Sequence, residues 1–147
     1  MTSEEAPELG FSDRVGREKY PQLLGLSQQR LENLVARAWK LQKGPAKVKL
    51  GIVWMGEAEH NRLHARFLDD PTPTDVITFP YDDDDLFGEI VVNLDMALAQ
   101  ATLRNIDMCD EVALYVVHGA LHLLGLEDAT DQQRREMRAA ESAVLHA

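Results

Sequence analysis

The sequence predicts an α+β fold, a small mixed β-sheet packed with about five helices, with two histidines on a central buried helix. Three observations lead there. Short segments with strand patterning, 47–55, 75–80 and 88–93, sit among longer segments of helical periodicity without strict βαβ alternation. The helical segments outnumber the strands. The run from Val112 to Leu124 holds no Asp, Glu, Lys or Arg, and a helix that is apolar all round is a buried one.

Each element has its own signal. Residues 1–25 are mixed, with Pro7, Gly10, Gly16, Pro21 and Gly25 too closely spaced for a long helix; this region reads as a flexible tail or a poorly marked strand. Ser27 is an N-cap candidate for a helix to about Lys43, in which Leu31, Leu34, Val35, Ala38 and Leu41 recur at three- and four-residue steps before Gly44-Pro45. Lys47 to Met55 alternates and then turns continuously apolar, as a strand that becomes internal does. A short helix follows from Glu57 to about Phe67, and then a proline-rich loop over 69–74. Asp75 to Pro80 and Gly88 to Asn93 read as two strands joined in hairpin fashion around a turn at Asp82–Asp85. Asn93 caps a helix to about Asn105, Asp110 caps the histidine helix that Gly125 ends, and a last amphipathic helix runs from Thr130 to Leu145 with Met137, Ala140 and Val144 on one side.

Bulk properties narrow the function classes. At 147 residues and 45% hydrophobic content, the chain suits one domain spanning 1–147 with a real core. Its single cysteine, Cys109, excludes an internal disulfide and, between Asp107 and Asp110, is a poor setting for a thiolate, so it reads as structural. The acidic N-terminus lacks an apolar run and no segment approaches the ~20 apolar residues of a membrane span, which predicts a soluble, cytoplasmic protein without a membrane partner. A formal charge of −10 disfavours whole-surface attraction to nucleic acid, so any RNA or phosphate substrate must be held locally by a metal and a few arginines.

The chemistry-bearing residues lie on and after the histidine helix. His118 and His122 stand four apart, so both imidazoles project from one helix face. A buried imidazole without a partner costs roughly 1–3 kcal/mol, and two on one face need a shared reason. Beyond Gly125 a chain reversal can return Asp128, six residues after His122, towards both rings, with Glu127 as the competing carboxylate. Two nitrogens and an oxygen suit Zn²⁺ with an open fourth position. Gly119 follows the first histidine where a zinc protease has its glutamate, which argues against peptide hydrolysis. Between the histidines it costs about 1 kcal/mol relative to alanine, as a close approach of another backbone or a roomy metal pocket would require.

Three ordered blocks resemble the YbeY endoribonuclease family, bacterial enzymes of ribosomal RNA maturation. His118-Gly-Ala-Leu-His-Leu-Leu-Gly125 is similar to the family's His-Gly-x-Leu-His-Leu-x-Gly-Tyr-Asp-His. Thr74-Asp-Val-Ile-Thr-Phe-Pro80 resembles Thr-Asp-Val-Leu-Ser-Phe-Pro, and Gly88-Glu-Ile-Val-Val-Asn93 resembles Gly-Asp-Ile-x-Ile-Ser. Met137 and Glu141 fall where the family has a methionine and a glutamate, so the resemblance covers about 48–141. It implies a single-strand-specific, zinc-dependent endoribonuclease acting in 16S rRNA 3′-end maturation and ribosome quality control. Its partners would be a ribosomal RNA precursor and the small ribosomal subunit. It further implies one Zn²⁺ held by His118, His122 and the position of Asp128, where the family carries a histidine. A functional arginine is implied ahead of the Thr-Asp-Val block, with Arg66 as its counterpart after Asn61 and Arg62 as competitor. The replacement of histidine by Asp128 also suits two alternatives, a ribosome-associated binding module with a structural or degenerate metal site, or a metal-dependent hydrolase of another substrate.

The remaining candidates read as structural. Asp75, after a threonine at a strand start, is a turn or cap residue before it is a catalytic acid. The Asp82–Asp85 run lacks the spaced ligands of a calcium loop. Trp39 and Trp54 sit in apolar patterns and belong to the core. His60, His64 and His146 read as surface residues outside any ligand set.

Overall fold

The computed structural model describes residues 6–81, 83 and 86–146. Four strands, β1 (Glu8–Asp13), β2 (Lys49–Met55), β3 (Val76–Pro80) and β4 (Gly88–Asn93), form one sheet in the order β1-β2-β4-β3. β1, β2 and β4 are parallel, and β3 pairs antiparallel with β4 as the hairpin pattern anticipates. Five α-helices accompany the sheet: α1 (Gln28–Leu41), α2 (Glu57–Leu68), α3 (Leu94–Arg104), α4 (Met108–Leu123) and α5 (Asp131–Leu145). The α+β architecture predicted from sequence is the one observed. Of the region read as tail or weak strand, Glu8–Asp13 is the edge strand β1, followed by short 3-10 turns at Arg17–Lys19 and Pro21–Leu23. The expected turn at Asp82–Asp85 falls largely outside the described residues.

Strand alternation divides the sheet into two faces. Leu50, Ile52 and Trp54 of β2, with Ile90 and Val92 of β4, pack in one core with Val112, Tyr115, Val116 and Ala120 of α4. On the other side of α4, Ala113, Val117 and Leu121 meet Leu34 and Ala38 of α1 and Met137 and Val144 of α5. α4 is thus enclosed between the sheet and two helices, which is why its sequence lacks charge along most of its length. The opposite sheet face carries Val53, Met55, Ile77 and Val91, covered in part by Leu63 of α2. Trp39 and Trp54 are buried, as their apolar settings imply, and Cys109 is buried with its Sγ–H directed at the Gln22 carbonyl.

The helix caps show where sequence signals compete. Ser27, Asn93 and Thr130 cap α1, α3 and α5 as expected, Thr130 through a reciprocal capping box with Gln133. Asp110 does not cap α4. Asp107 does, accepting from Cys109 N at 2.8 Å, while Asp110 lies inside the first turn and pairs with Arg30 at 2.8 Å. Starting the helix at Met108 buries both Met108 and Cys109, a gain that a later start would forgo.

Gly119 is explained by close packing of helix on sheet. A Cβ there would lie 2.6 Å from Ile90 Cγ2 and 3.3 Å from Thr78 Cγ2. The missing side chain makes room for strand side chains, where the sequence suggested a neighbouring backbone or a metal pocket.

Candidate metal centre

α4 ends in a Schellman turn. Gly125 takes φ +103°, Gly125 N–H donates to the His122 carbonyl and Leu126 N–H to the Leu121 carbonyl, each at 3.0 Å. Leu126 then packs in the cluster that holds Leu121, which anchors the reversal. Arg134 on α5 donates to the carbonyls of Asp128 and Ala129, fixing the short loop between the helices. The reversal is one the sequence allowed, and it brings Asp128 within 3.5 Å of both rings.

The result is a compact donor set. His118 Nε2 and His122 Nε2 lie 3.0 Å apart, and Asp128 Oδ2 is 3.4 Å from the first and 3.5 Å from the second. The rings meet edge to face, with centroids 4.5 Å apart at 85°. Among the described residues these three make up the cluster of His, Cys, Asp or Glu side chains able to hold a metal ion. Glu127 is exposed and does not join it. Both imidazoles are half-buried while the Asp128 side chain is 45% exposed, so the centre opens on the Asp128 side.

Glu141 of α5 completes the arrangement from behind. His118 Nδ1–H donates to Glu141 Oε2 at 2.5 Å, which leaves the Nε2 lone pair facing His122 and Asp128. A carboxylate on the far ring nitrogen is the usual support for a metal-binding imidazole. Burial works against a charge on His118, but the hydrogen bond and field of Glu141, with the fields of Asp75 and Asp128, outweigh it and raise its pKa above the ordinary histidine value. The sequence carried a signal for Glu141 beyond the family block: it stands four residues after Met137 on the apolar stripe of an amphipathic helix, where a carboxylate needs a reason.

The other candidates lie elsewhere. Arg66, in the last turn of α2, places its guanidinium 5.4 Å over the Phe67 ring, and Phe67 packs edge-on against Phe79 of the sheet face turned away from α4. The structure does not bring it to the three donors. Asp75 caps its own strand, Oδ1 accepting from Val76 N at 2.8 Å and from Thr74 Oγ1 at 3.3 Å, as a strand-start aspartate should. His60 and His64 are buried, not surface residues. His60 Nε2–H donates to the Val91 carbonyl at 3.0 Å and His64 Nδ1–H to the Thr72 carbonyl at 2.7 Å, so α2 uses them to tie itself to β4 and to the loop before β3.

The family model described as Endoribonuclease YbeY matches residues 18–147. The chain belongs to this family. Among the curated YbeY proteins similar to it, that of Leifsonia xyli subsp. xyli is 29% identical over 133 residues, 83% of this chain and 87% of the relative. The Acidothermus cellulolyticus YbeY is 36% identical over 115 residues, 67% of this chain and 70% of its own. The solution structure of a Thermotoga maritima protein superposes with a TM-score of 0.60 at 24% identity, covering 94% of this chain and 89% of the other, a likeness of fold. The YbeY match takes in α1 to α5 with β2, β3 and β4, and with them the whole donor set, while β1 lies ahead of it.

Proposed function

We propose that this YbeY-family protein is a zinc-dependent endoribonuclease that cleaves single-stranded RNA in ribosomal RNA maturation, at the 3′ end of the small-subunit RNA, and in ribosome quality control in the cytoplasm. Membership of a family named for endoribonuclease activity supports the reaction class. The observation that carries the metal is the triangle of His118 Nε2, His122 Nε2 and Asp128 Oδ2. Tetrahedral zinc with donors at 2.0–2.1 Å sets neighbouring donors about 3.3–3.4 Å apart, and the three edges here are 3.0, 3.4 and 3.5 Å. Two imidazoles and one carboxylate are also the ligand types of catalytic zinc, which keeps a position open.

The roles of the chain's own groups follow. Glu141 holds the His118 ring in the tautomer that presents Nε2, and the Schellman turn at Gly125 sets the reach of Asp128. An ion held by His118, His122 and Asp128 would supply Lewis acidity towards a phosphodiester. Arg66 is assigned to the phosphate charge by the family resemblance alone.

A second reading, a ribosome-associated binding module with a structural metal, is favoured by one feature: the third donor is an exposed carboxylate where the family motif has histidine. One experiment separates them. Elemental analysis of purified protein, with cleavage of a small-subunit precursor RNA in the presence and absence of chelator, is expected to give one zinc per chain and chelator-sensitive cleavage. Asp128→Ala is expected to lose both, and Asp128→His to retain both. Stoichiometric metal without cleavage sinks the nuclease reading in favour of the module.

A further inference from the structure

An open cleft of about 490 Å³ is lined by Thr74, Asp75, Gln100, Arg104, Glu111 and Tyr115 among others, the last two on the helix that carries the histidine pair. Cleft and cluster share one helix face. Glu111, Tyr115, His118 and His122 succeed one another on α4 at steps of four, three and four residues. At 1.5 Å rise per residue, Glu111 precedes His118 by about 10 Å along the helix axis. The field of Asp75, on the cleft wall, acts on both Tyr115 and His118.

The floor of this cleft is built around a buried charge. Glu111 is 2% exposed, and a carboxylate at that depth needs a partner. Arg104, the last residue of α3, provides it through Nη2, and Tyr115 lies close enough for its phenol to feel the carboxylate. Burial and this carboxylate push the Tyr115 pKa up. The Arg104 side chain is nevertheless 49% exposed. A guanidinium carries five N–H donors in one rigid plane. The ion pair fixes that plane and leaves donors facing the cleft, so little freedom remains to be lost when an anion binds. Arg104 is the basic residue among those lining the cleft, in a chain whose formal charge of −10 repels polyanions overall.

We propose that Arg104, braced by the buried Glu111, is a phosphate-binding subsite for the RNA strand that the histidine cluster cleaves. The inference rests on the nuclease reading. The rise of about 10 Å from Glu111 to His118 along α4, the span of a few nucleotides, sets the scale between the Arg104–Glu111 pair and the cluster. Arg104 therefore holds a phosphate a few nucleotides along the strand from the reacting one. It is a positioning residue that sets affinity and register.

The test is the salt dependence of binding. The zinc-loaded protein is titrated into a fluorescent 2′-O-methyl single-stranded RNA of about ten nucleotides, as wild type and as the double variant Arg104→Gln/Glu111→Gln, which leaves no buried charge unpaired. Expected are about tenfold weaker binding at low salt and a slope of log K against log salt that is shallower by about 0.7, the loss of one phosphate contact on a single strand. An unchanged slope, with zinc content and thermal midpoint as in the wild type, overturns the proposal. If the double variant does not fold, Arg104→Lys decides: it keeps the Glu111 pair and the charge, so it should keep the slope and lose several-fold in affinity, and wild-type affinity overturns the proposal. A wild type that binds no RNA overturns this inference and the nuclease reading together. A wild type that cleaves RNA with the same KM as the double variant overturns the subsite alone.

Discussion

His60 and His64 stand four residues apart on α2, as His118 and His122 do on α4, and the two pairs sit in opposite surroundings. Each ring on α2 gives an N–H to a backbone carbonyl, Val91 for His60 and Thr72 for His64, and so is spent on holding the helix to its neighbours. On α4 the rings turn towards each other, with Asp128 across from them and Glu141 behind. Helical spacing puts both rings of either pair on one face. What distinguishes the pairs is the chemistry opposite: backbone acceptors use up imidazole donors, whereas converging carboxylates leave lone pairs aimed at a common point. A His-x3-His pattern becomes a candidate metal centre only with the loop or helix that faces it.

Alanine at one position of each pair should separate the two roles. His118→Ala is expected to lose stoichiometric zinc and to reduce RNA cleavage by at least 100-fold, since loss of even an outer partner of a ligand costs about 10–100-fold. His60→Ala, which empties a fully buried position, is expected to cost about 2–3 kcal/mol of stability in urea unfolding while metal content stays at wild-type level. Loss of zinc from His60→Ala under conditions where the protein remains folded would erase the distinction.

Glu141→Gln probes the same contrast one layer out. An amide keeps the size of the side chain and removes the charge that orients His118, so zinc affinity should fall by about 10–100-fold with little change in the fold. Competition against a chelator of known affinity measures it. Affinity equal to the wild type would mean that the His118–Glu141 contact is packing alone.

The strongest sequence signals were those in which periodicity and punctuation agreed. The charge-free run of α4, the Gly125 stop and the carboxylate six residues past His122 together pointed to the three side chains that the fold brings near one another, while the fourth partner, Glu141, comes from α5. β1 was obscured because its residues alternate weakly around Gly10 and its partner strand lies some 40 residues on, and long-range pairing leaves no local trace. His60 and His64 read as surface residues because α2 is rich in polar side chains, and the carbonyl acceptors that hold them, in β4 and in the loop before β3, are invisible in one-dimensional spacing. Glu111 was hidden in the same way, since only its pairing with Arg104, across the turn from α3, makes its burial tolerable.

His60 and His118 should also respond to pH with opposite signs in metal-free protein. Burial lowers the His60 pKa from 6.5, with the Val91 carbonyl working the other way. The unfolded chain therefore binds a proton that the folded one refuses, and the His60 contribution is present above about pH 6.5 and lost as pH falls towards the folded value. For His118 burial is outweighed by Glu141, Asp75 and Asp128, and the folded pKa lies above 6.5. Its contribution is full below the unfolded value and is lost as pH rises through the folded one. Urea midpoints measured from pH 5 to 8 in chelator should rise with pH in His118→Ala relative to wild type, because only the alkaline-side loss has been removed. In His60→Ala the acid-side loss should be reduced. If the two variants deviate from wild type in the same direction across this range, the carboxylates around His118 do not set its charge, and its contrast with His60 reduces to packing.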